Sequence, residues 1–211
     1  KFWQTCREKL VGLPMTSTLE EIPSPGNEAK LYKVKVSCPG GTGVTSGFLS
    51  VPQKPGKYRA VANFFGYNES WSKKAYTPPK TVSATSINFY VSAHGYELCR
   101  EDEYYVKLRR AVRSNGFGHG FDPEQNKNPE TCYFSGMAMR ALRAVDYLKT
   151  RPEWDGKNLL VAGGSAALVL GLGIAAAQLA QVVAIVFGIV ARSLFAACTG
   201  VFAVLGSLAI R

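Results

Sequence analysis

The sequence is poor in the residues that build metal sites and disulfide scaffolds. Five cysteines are spread over 211 residues without a CxxC pair, and histidine occurs at His94 and His119 alone. Such a dilute, odd set of cysteines argues against a disulfide scaffold and against a zinc site. No metal and no cofactor are therefore predicted. The balance of 46% hydrophobic and 19% charged residues excludes a disordered chain and fits one globular domain.

Acidic residues and proline are absent from the last quarter of the chain. All fifteen acidic residues lie between Glu8 and Asp155, and the only bases after Asn158 are Arg192 and Arg211. The net charge of +10 therefore comes mostly from the residues before Asn158.

A short basic block, Lys107–Arg113, is the candidate for a nucleic-acid surface. No aromatic-flanked or motif-bearing basic surface accompanies it, so we interpret it as a solvated helix face. Nucleic acid is not a predicted partner.

Hydrophobic patterning in the first half of the chain predicts a helix and four strands. The helix is Phe2–Val11, and the strands are Leu31–Ser37, Val44–Val51, Tyr58–Phe65 and Ser86–Ser92. The first two strands are expected to pair as a hairpin. Because the third is apolar almost without interruption, we expect it to be buried on both faces. The polar residues before the first strand predict a loop.

From Ser135 the hydrophobic period becomes that of a helix. Ser135–Thr150 is predicted as an amphipathic helix, and Asn158–Ala162 as a short buried strand. Strands in a hairpin, followed by strands that alternate with helices, predict an α/β fold. Its sheet should be mostly parallel, with antiparallel strands at one edge.

Gly163-Gly164-Ser165 follows that last strand directly and leads into an alanine-rich segment. This order is typical of a nucleophile elbow, where a serine on a tight strand-to-helix turn needs small neighbours. The N–H groups of the following helix point towards the position where an oxyanion develops. The usual G-x-S-x-G pattern ends here in Ala167 instead of glycine. A plain turn is the alternative interpretation of the same residues.

Several short motifs occur in a fixed order before Ser165. They are Phe2-Trp3, Val51-Pro52, Phe64-Phe65-Gly66-Tyr67, Ser92-Ala93-His94-Gly95-Tyr96-Glu97 and the helical segment Tyr133–Leu148. In their order and spacing, residues 1–165 resemble the acetyl xylan esterase and cephalosporin-C deacetylase family, carbohydrate esterase family seven of the α/β hydrolases. The chain departs from that family where Phe65 replaces the histidine of an HGY-type turn. It also lacks the arginine of an RGQG-like turn, although Gly95 is kept.

The resemblance implies an α/β-hydrolase fold and removal of acetyl groups from acetylated xylan or related acetylated sugars. It implies that Ser165 is the nucleophile and that the backbone N–H groups of Tyr67 and Ala166 form the oxyanion hole. An acetylated carbohydrate is the implied substrate. Members of the family commonly form oligomers, so the resemblance also allows a homo-oligomer.

The residues after Ser165 lack the partners of a catalytic triad. In α/β hydrolases the acid and the histidine follow the serine in the chain, whereas no Asp, Glu or His follows Ser165 here. His94 and His119 precede it and are interpreted as exposed turn histidines. Asp146 and Asp155 are assigned to a solvated helix face and to a turn. We therefore predict an incomplete and inactive version of the esterase.

The apolar segment after Ser165 has three explanations: a divergent hydrolase core, a shifted reading frame or a membrane hairpin. Ala166–Ala177 fits the helix after an elbow and Gln181–Gly188 fits the next buried strand, but Ser193–Ile210 is apolar almost throughout. The abrupt loss of acidic residues favours a changed frame or a chimeric end. The predicted division is an α/β-hydrolase part, residues 1–165, and an apolar tail, residues 166–211. Because the chain begins at Lys1, we expect a segment of a longer protein.

Two non-catalytic functions are the alternatives. A membrane-associated protein would use the apolar stretch Leu159–Ile210 as a hairpin, although polar residues interrupt it, and a membrane is not the preferred partner. A sugar-binding hydrolase remnant would use aromatic residues such as Trp71, Tyr104 and Tyr105.

Overall fold

A computed structural model describes residues 2–40, 43–65, 76–112, 116–117, 120–163 and 182–184. These residues form helices and strands in an order that begins with a helix, continues with strands in consecutive antiparallel hairpins, and ends with strands that pair in parallel. The helices are α1 (Phe2–Gly12), α2 (Asp102–Val112), α3 (Pro123–Asn126) and α4 (Tyr133–Lys149). The strands are β1 (Ser17–Ile22), β2 (Ala29–Ser37), β3 (Val44–Pro52), β4 (Tyr58–Phe64), β5 (Ser86–Ser92), β6 (Trp154–Gly163) and β7 (Val182–Ala184).

Within the described residues, seven strands form one mixed sheet in the order β1-β2-β3-β5-β4-β6-β7. The pairs β1–β2, β2–β3 and β3–β5 are antiparallel, and the pairs β5–β4, β4–β6 and β6–β7 are parallel. A parallel half that carries an antiparallel edge confirms the predicted α/β class.

One face of the sheet, here called the helix face, is covered by α1 and α4. Small and aliphatic side chains make up its core, in which residues such as Ala62, Leu142 and Val145 are fully buried. Alanines on both the strand and the helix let α4 approach the sheet closely. The ion pair between Arg7 and Asp146, at 2.8 Å, joins α1 to α4.

The opposite face, here called the tyrosine face, has a smaller core in which buried tyrosines cover β2 and β3. Leu31 and Phe48 lie beneath Tyr76 and Tyr105, whose rings stack with centroids 3.8 Å apart. Towards β4 this face turns polar, because the amide of Asn63 and its neighbours replace aliphatic side chains. The two sides of the sheet are therefore packed by different chemistry.

The predicted elements agree with the structure where the hydrophobic pattern is strong. The hairpin of β2 and β3, the strand β5 and the helix α4 are confirmed, with α4 beginning two residues earlier than predicted. β6 is longer than predicted, since it already begins at Trp154. β7 lies inside the predicted strand Gln181–Gly188. The predicted helix Ala166–Ala177 lies outside the described residues.

Two predictions about the strands are wrong. The segment before β2 contains β1, which was expected to be loop, because its side chains are exposed and show no hydrophobic alternation. Backbone pairing with β2 and ion pairs such as Glu20 to Lys33 at 2.7 Å hold it as an edge strand. β4 is fully buried on the helix face alone, since Val61 and Asn63 are half-buried on the tyrosine face.

Candidate functional site

The carboxyl ends of three parallel strands meet at one edge of the sheet. β4 lies between β5 and β6, and Phe64 at its end pairs with Val91 on one side and with Gly163 on the other. The chain leaves β4 towards β5, whereas it leaves β6 towards β7 on the opposite side. In open α/β sheets such a reversal of direction opens a crevice at the carboxyl edge, where ligands bind.

The three residues of the predicted ester-cleaving site lie outside the described part of the chain. By sequence, Ser165 follows the end of β6 by two residues, Ala166 follows by three, and Tyr67 follows the end of β4 by three. His119 and Trp71 also lie outside the described residues. The described geometry therefore gives the two strand ends from which the predicted site residues continue.

The third strand end at this edge is a tight turn. The amide of Gly95 donates a hydrogen bond to the carbonyl of Ser92 at 3.1 Å, which closes a turn with Ala93 and His94 at its centre. Gly95 has a φ of +74°, a conformation that favours glycine. The turn thus holds the backbone of His94 in a defined geometry at the end of β5.

His94 lies in a turn, as predicted, but it is buried, so the prediction that it is exposed is wrong. Only 6% of the residue is accessible, because Tyr133 at the start of α4 and Tyr96 enclose it. Its Nδ1 makes a short hydrogen bond with the hydroxyl of Tyr133, and its ring lies 5.5 Å from that of Tyr96, nearly parallel to it. Since β5 lies two strands away from β6, about 10 Å, the turn is distant from the strand that leads to Ser165.

Two buried arginines of α4 were not predicted from the sequence. Arg140 and Arg143 are 6% and 4% exposed, although they lie on a helix where charged residues usually face solvent. Arg140 donates from Nε to the carbonyl of Ala93 at 2.6 Å, in the turn after β5. Their position among the apolar residues of α4 was the signal that could have revealed their burial.

The acidic residues named from the sequence have structural partners. Asp146 is half-buried and bound to Arg7, so the assignment to a solvated helix face is wrong. Asp155 accepts hydrogen bonds from the amides of Lys157 and Asn158, both at 2.8 Å, which confirms its place in a turn.

The two tyrosines considered for a sugar-binding platform, Tyr104 and Tyr105, pack against other residues of this chain. Tyr105 is 3% exposed, and its hydroxyl donates to the carbonyl of Glu97 at 2.7 Å and accepts from the amide of Arg100 at 3.1 Å. Burial raises the pKa of Tyr105 to about 12. Tyr104 is half-buried beneath the guanidinium of Arg100, 4.6 Å from its ring centre. Neither ring forms an open platform, which contradicts that alternative for these two residues.

Two features of the described residues concern a metal site and the membrane-associated alternative. Across the described ranges, no three His, Cys, Asp or Glu side chains are grouped so that they could hold a metal ion. No helix in the same ranges is long and apolar enough to cross a membrane. Most of the apolar stretch Leu159–Ile210 lies outside these ranges.

Comparison with known proteins connects this architecture to esterases. The family model of the acetyl xylan esterases matches residues 1–191, which extends beyond Ser165 and farther than the resemblance seen in the sequence. The acetyl esterase Axe7A of Xylanibacter ruminicola is 30% identical over 128 residues, which is 60% of this chain and 28% of that protein.

Two solved structures share the fold. Acetyl xylan esterase 1 from Thermoanaerobacterium sp. JW/SL YS485 has a TM-score of 0.59 at 17% identity, covering 84% of this chain and 53% of that one. The acetyl xylan esterase from Paenibacillus sp. R4 has a TM-score of 0.58 at 19% identity, covering 84% and 54%. These likenesses establish the α/β-hydrolase-type fold. The chain spans about half the length of these structures and 28% of Axe7A.

Proposed function

The chain belongs to the acetyl xylan esterase family, and from this premise we propose that it carries the nucleophile of a serine carboxylic ester hydrolase. The proposed substrates are acetylated xylan and related acetylated sugars. The observation that supports this most is the reversal of chain direction between β4 and β6, because the sequence continues from these two strand ends to Tyr67 and Ser165.

The proposed reaction is acyl transfer through Ser165. Its hydroxyl oxygen attacks the acetyl carbonyl and gives up its proton to a base, and the backbone N–H groups of Tyr67 and Ala166 donate to the oxyanion. Collapse of this intermediate expels the sugar hydroxyl, which takes a proton, and leaves an acetyl-serine ester. Water then attacks that ester in a second step and releases acetate.

The residues that would activate Ser165 are missing from this sequence. No Asp, Glu or His follows Ser165 within the 211 residues, and His94 is enclosed by Tyr133 and Tyr96. A serine hydroxyl without a base is a weak nucleophile at neutral pH, and loss of the triad histidine lowers the rate by several powers of ten. We propose that these 211 residues alone have essentially no turnover.

The test is acetate release from acetylated xylo-oligosaccharides by the whole gene product that contains these residues. We expect Ser165→Ala to abolish release, because the acylated oxygen is removed. Ser92→Ala is the matched control, since Ser92 is buried at the end of β5 and its hydroxyl makes no hydrogen bond within the part of the chain that the structure describes. Equal release by Ser165→Ala and the unmodified protein would exclude Ser165 as the nucleophile.

A further inference from the structure

We infer that Arg140 is a positioning residue for this reaction: it anchors the turn after β5, the strand that pairs with β4, from which the chain continues to Tyr67. The expected change in kcat rests on the proposed function, whereas the anchoring of the turn can be tested without any enzymatic activity. The side chain of Arg140 binds a carbonyl of this turn, so its effect would pass through the backbone of the turn.

The contact that carries the inference joins a buried side chain to the centre of the turn. Nε of Arg140 donates to the carbonyl of Ala93 at 2.6 Å, and the turn is closed by the Gly95–Ser92 hydrogen bond. A hydrogen bond from a charged donor is stronger than one between neutral groups. The guanidinium therefore fixes the backbone next to His94.

The arginine is itself held in place by its surroundings. Its backbone carbonyl accepts a hydrogen bond from the hydroxyl of Thr45 on β3, at 3.2 Å. One turn earlier in α4 stands Gly136, where an added Cβ would lie 3.3 and 3.4 Å from the two terminal nitrogens of Arg140. A glycine inside a helix costs about 1 kcal/mol relative to alanine. Here it leaves space for the guanidinium.

Packing alone does not account for a charge at this position. Desolvation is the main influence on the pKa of Arg140, and no carboxylate of the described residues is among the groups that shift it. Burial lowers the pKa of Arg140, which nevertheless stays protonated at neutral pH. An apolar residue of similar volume would avoid the desolvation of a buried cation. The bond to the turn is the interaction that such a residue could not make.

Strand pairing connects the turn to the end of β4, from which the chain continues to Tyr67. β4 and β5 pair in parallel up to Phe64 and Val91, so Phe65, two residues before Tyr67 in the sequence, follows β4 at the same edge of the sheet at which Ser92 ends β5. Displacement of about 1 Å at a reacting centre can lower a rate about 100-fold. Loss of the anchor should therefore lower kcat more than it raises KM.

Arg143 provides a matched control on the same helix. It is as deeply buried as Arg140, but its Nη2 donates to the carbonyls of Leu10 and Leu13 at the end of α1, at 2.9 and 3.0 Å. Replacing Arg143 also removes a buried cation and its bonds to backbone carbonyls, yet leaves the turn after β5 untouched.

The experiment compares Arg140→Gln with Arg143→Gln by two readouts. Hydrogen exchange of residues 93–96 is measured in the 211-residue chain, and kcat and KM for acetate release are measured in the whole gene product, well below the Tm of each variant. We expect Arg140→Gln to exchange faster at 93–96 and to lose kcat about tenfold or more, with KM changed less than about threefold. Arg140→Lys should recover most of the kcat. Arg143→Gln should lower Tm without either effect.

Equal exchange at 93–96 in the two glutamine variants, or equal losses of kcat, would overturn the inference. If the unmodified gene product releases no acetate, the proposed function fails, and the exchange comparison alone decides whether Arg140 anchors the turn. If a glutamine variant does not fold, Arg140→Met and Arg143→Met, which keep the side-chain volume without the donor, are compared by the same two criteria.

Discussion

The helix face and the tyrosine face of the sheet are stabilised in different ways. The helix face buries mostly aliphatic side chains against α1 and α4. The tyrosine face buries rings whose hydroxyls bind backbone groups, as Tyr105 does with Glu97 and Arg100. The stability of the helix face depends on how well side-chain volume fills its core, and that of the tyrosine face depends on where its hydrogen-bonding atoms lie. Substitutions on the two faces should therefore change the free energy of unfolding in different ways.

The largest effect is expected from a cavity on the helix face. Leu142 is fully buried in α4, and Leu142→Ala should lower the free energy of unfolding by about 2–5 kcal/mol, through lost burial and an unfilled cavity. Leu160→Ala is the control, because Leu160 is half-buried on the tyrosine face of β6 and should cost about 1 kcal/mol. Urea denaturation measures both. Equal losses of unfolding free energy in the two variants would contradict the distinction between the faces.

A smaller effect is expected when one hydroxyl is removed from the tyrosine face. Tyr105→Phe keeps the stacked ring but leaves the carbonyl of Glu97 and the amide of Arg100 without their bonds, at a cost of about 1–2 kcal/mol. Tyr104→Phe should be close to neutral, since its ring is half-buried at the surface. Thermal unfolding of the pair checks this, and a neutral Tyr105→Phe would show that volume matters on this face too.

The smallest effect concerns alkaline pH. The pKa of Tyr105 is raised by burial to about 12, against an ordinary value of 10.0. Above pH 10 the unfolded chain loses this proton while the folded chain keeps it, so stability falls as pH rises from about 10 to about 12. Between pH 9 and 11 this group should remove about 1 kcal/mol. The stability of Tyr105→Phe should fall less steeply over this pH range. An identical slope in the variant and the unmodified chain would contradict the raised pKa.

The sequence predicted the features that depend on local hydrophobic pattern. β2, β3, β5 and α4 follow from alternation or helical period, and each lies close to its predicted bounds. β1 could not be predicted in this way, because an exposed edge strand is held by backbone pairing and shows no alternation.

The candidate site was predicted less completely, since its burial is set by distant residues. His94 is covered by Tyr133, which lies 39 residues later in the chain, so its local turn sequence suggested exposure. Arg140 binds a carbonyl 47 residues earlier, and nothing in the pattern of α4 identifies that acceptor. The order of strands, which defines the crevice between β4 and β6, also arises from pairing between distant segments.

The most direct test of the central claim is covalent labelling of the whole gene product with a fluorophosphonate. Trypsin cleaves after Lys157 and Arg192, so Ser165 falls in the peptide 158–192. We expect one adduct in that peptide and none in Ser165→Ala, and no rapid labelling of the 211-residue chain alone, which lacks a base after Ser165. Acetate release by a protein whose adduct lies on any other residue would contradict the account.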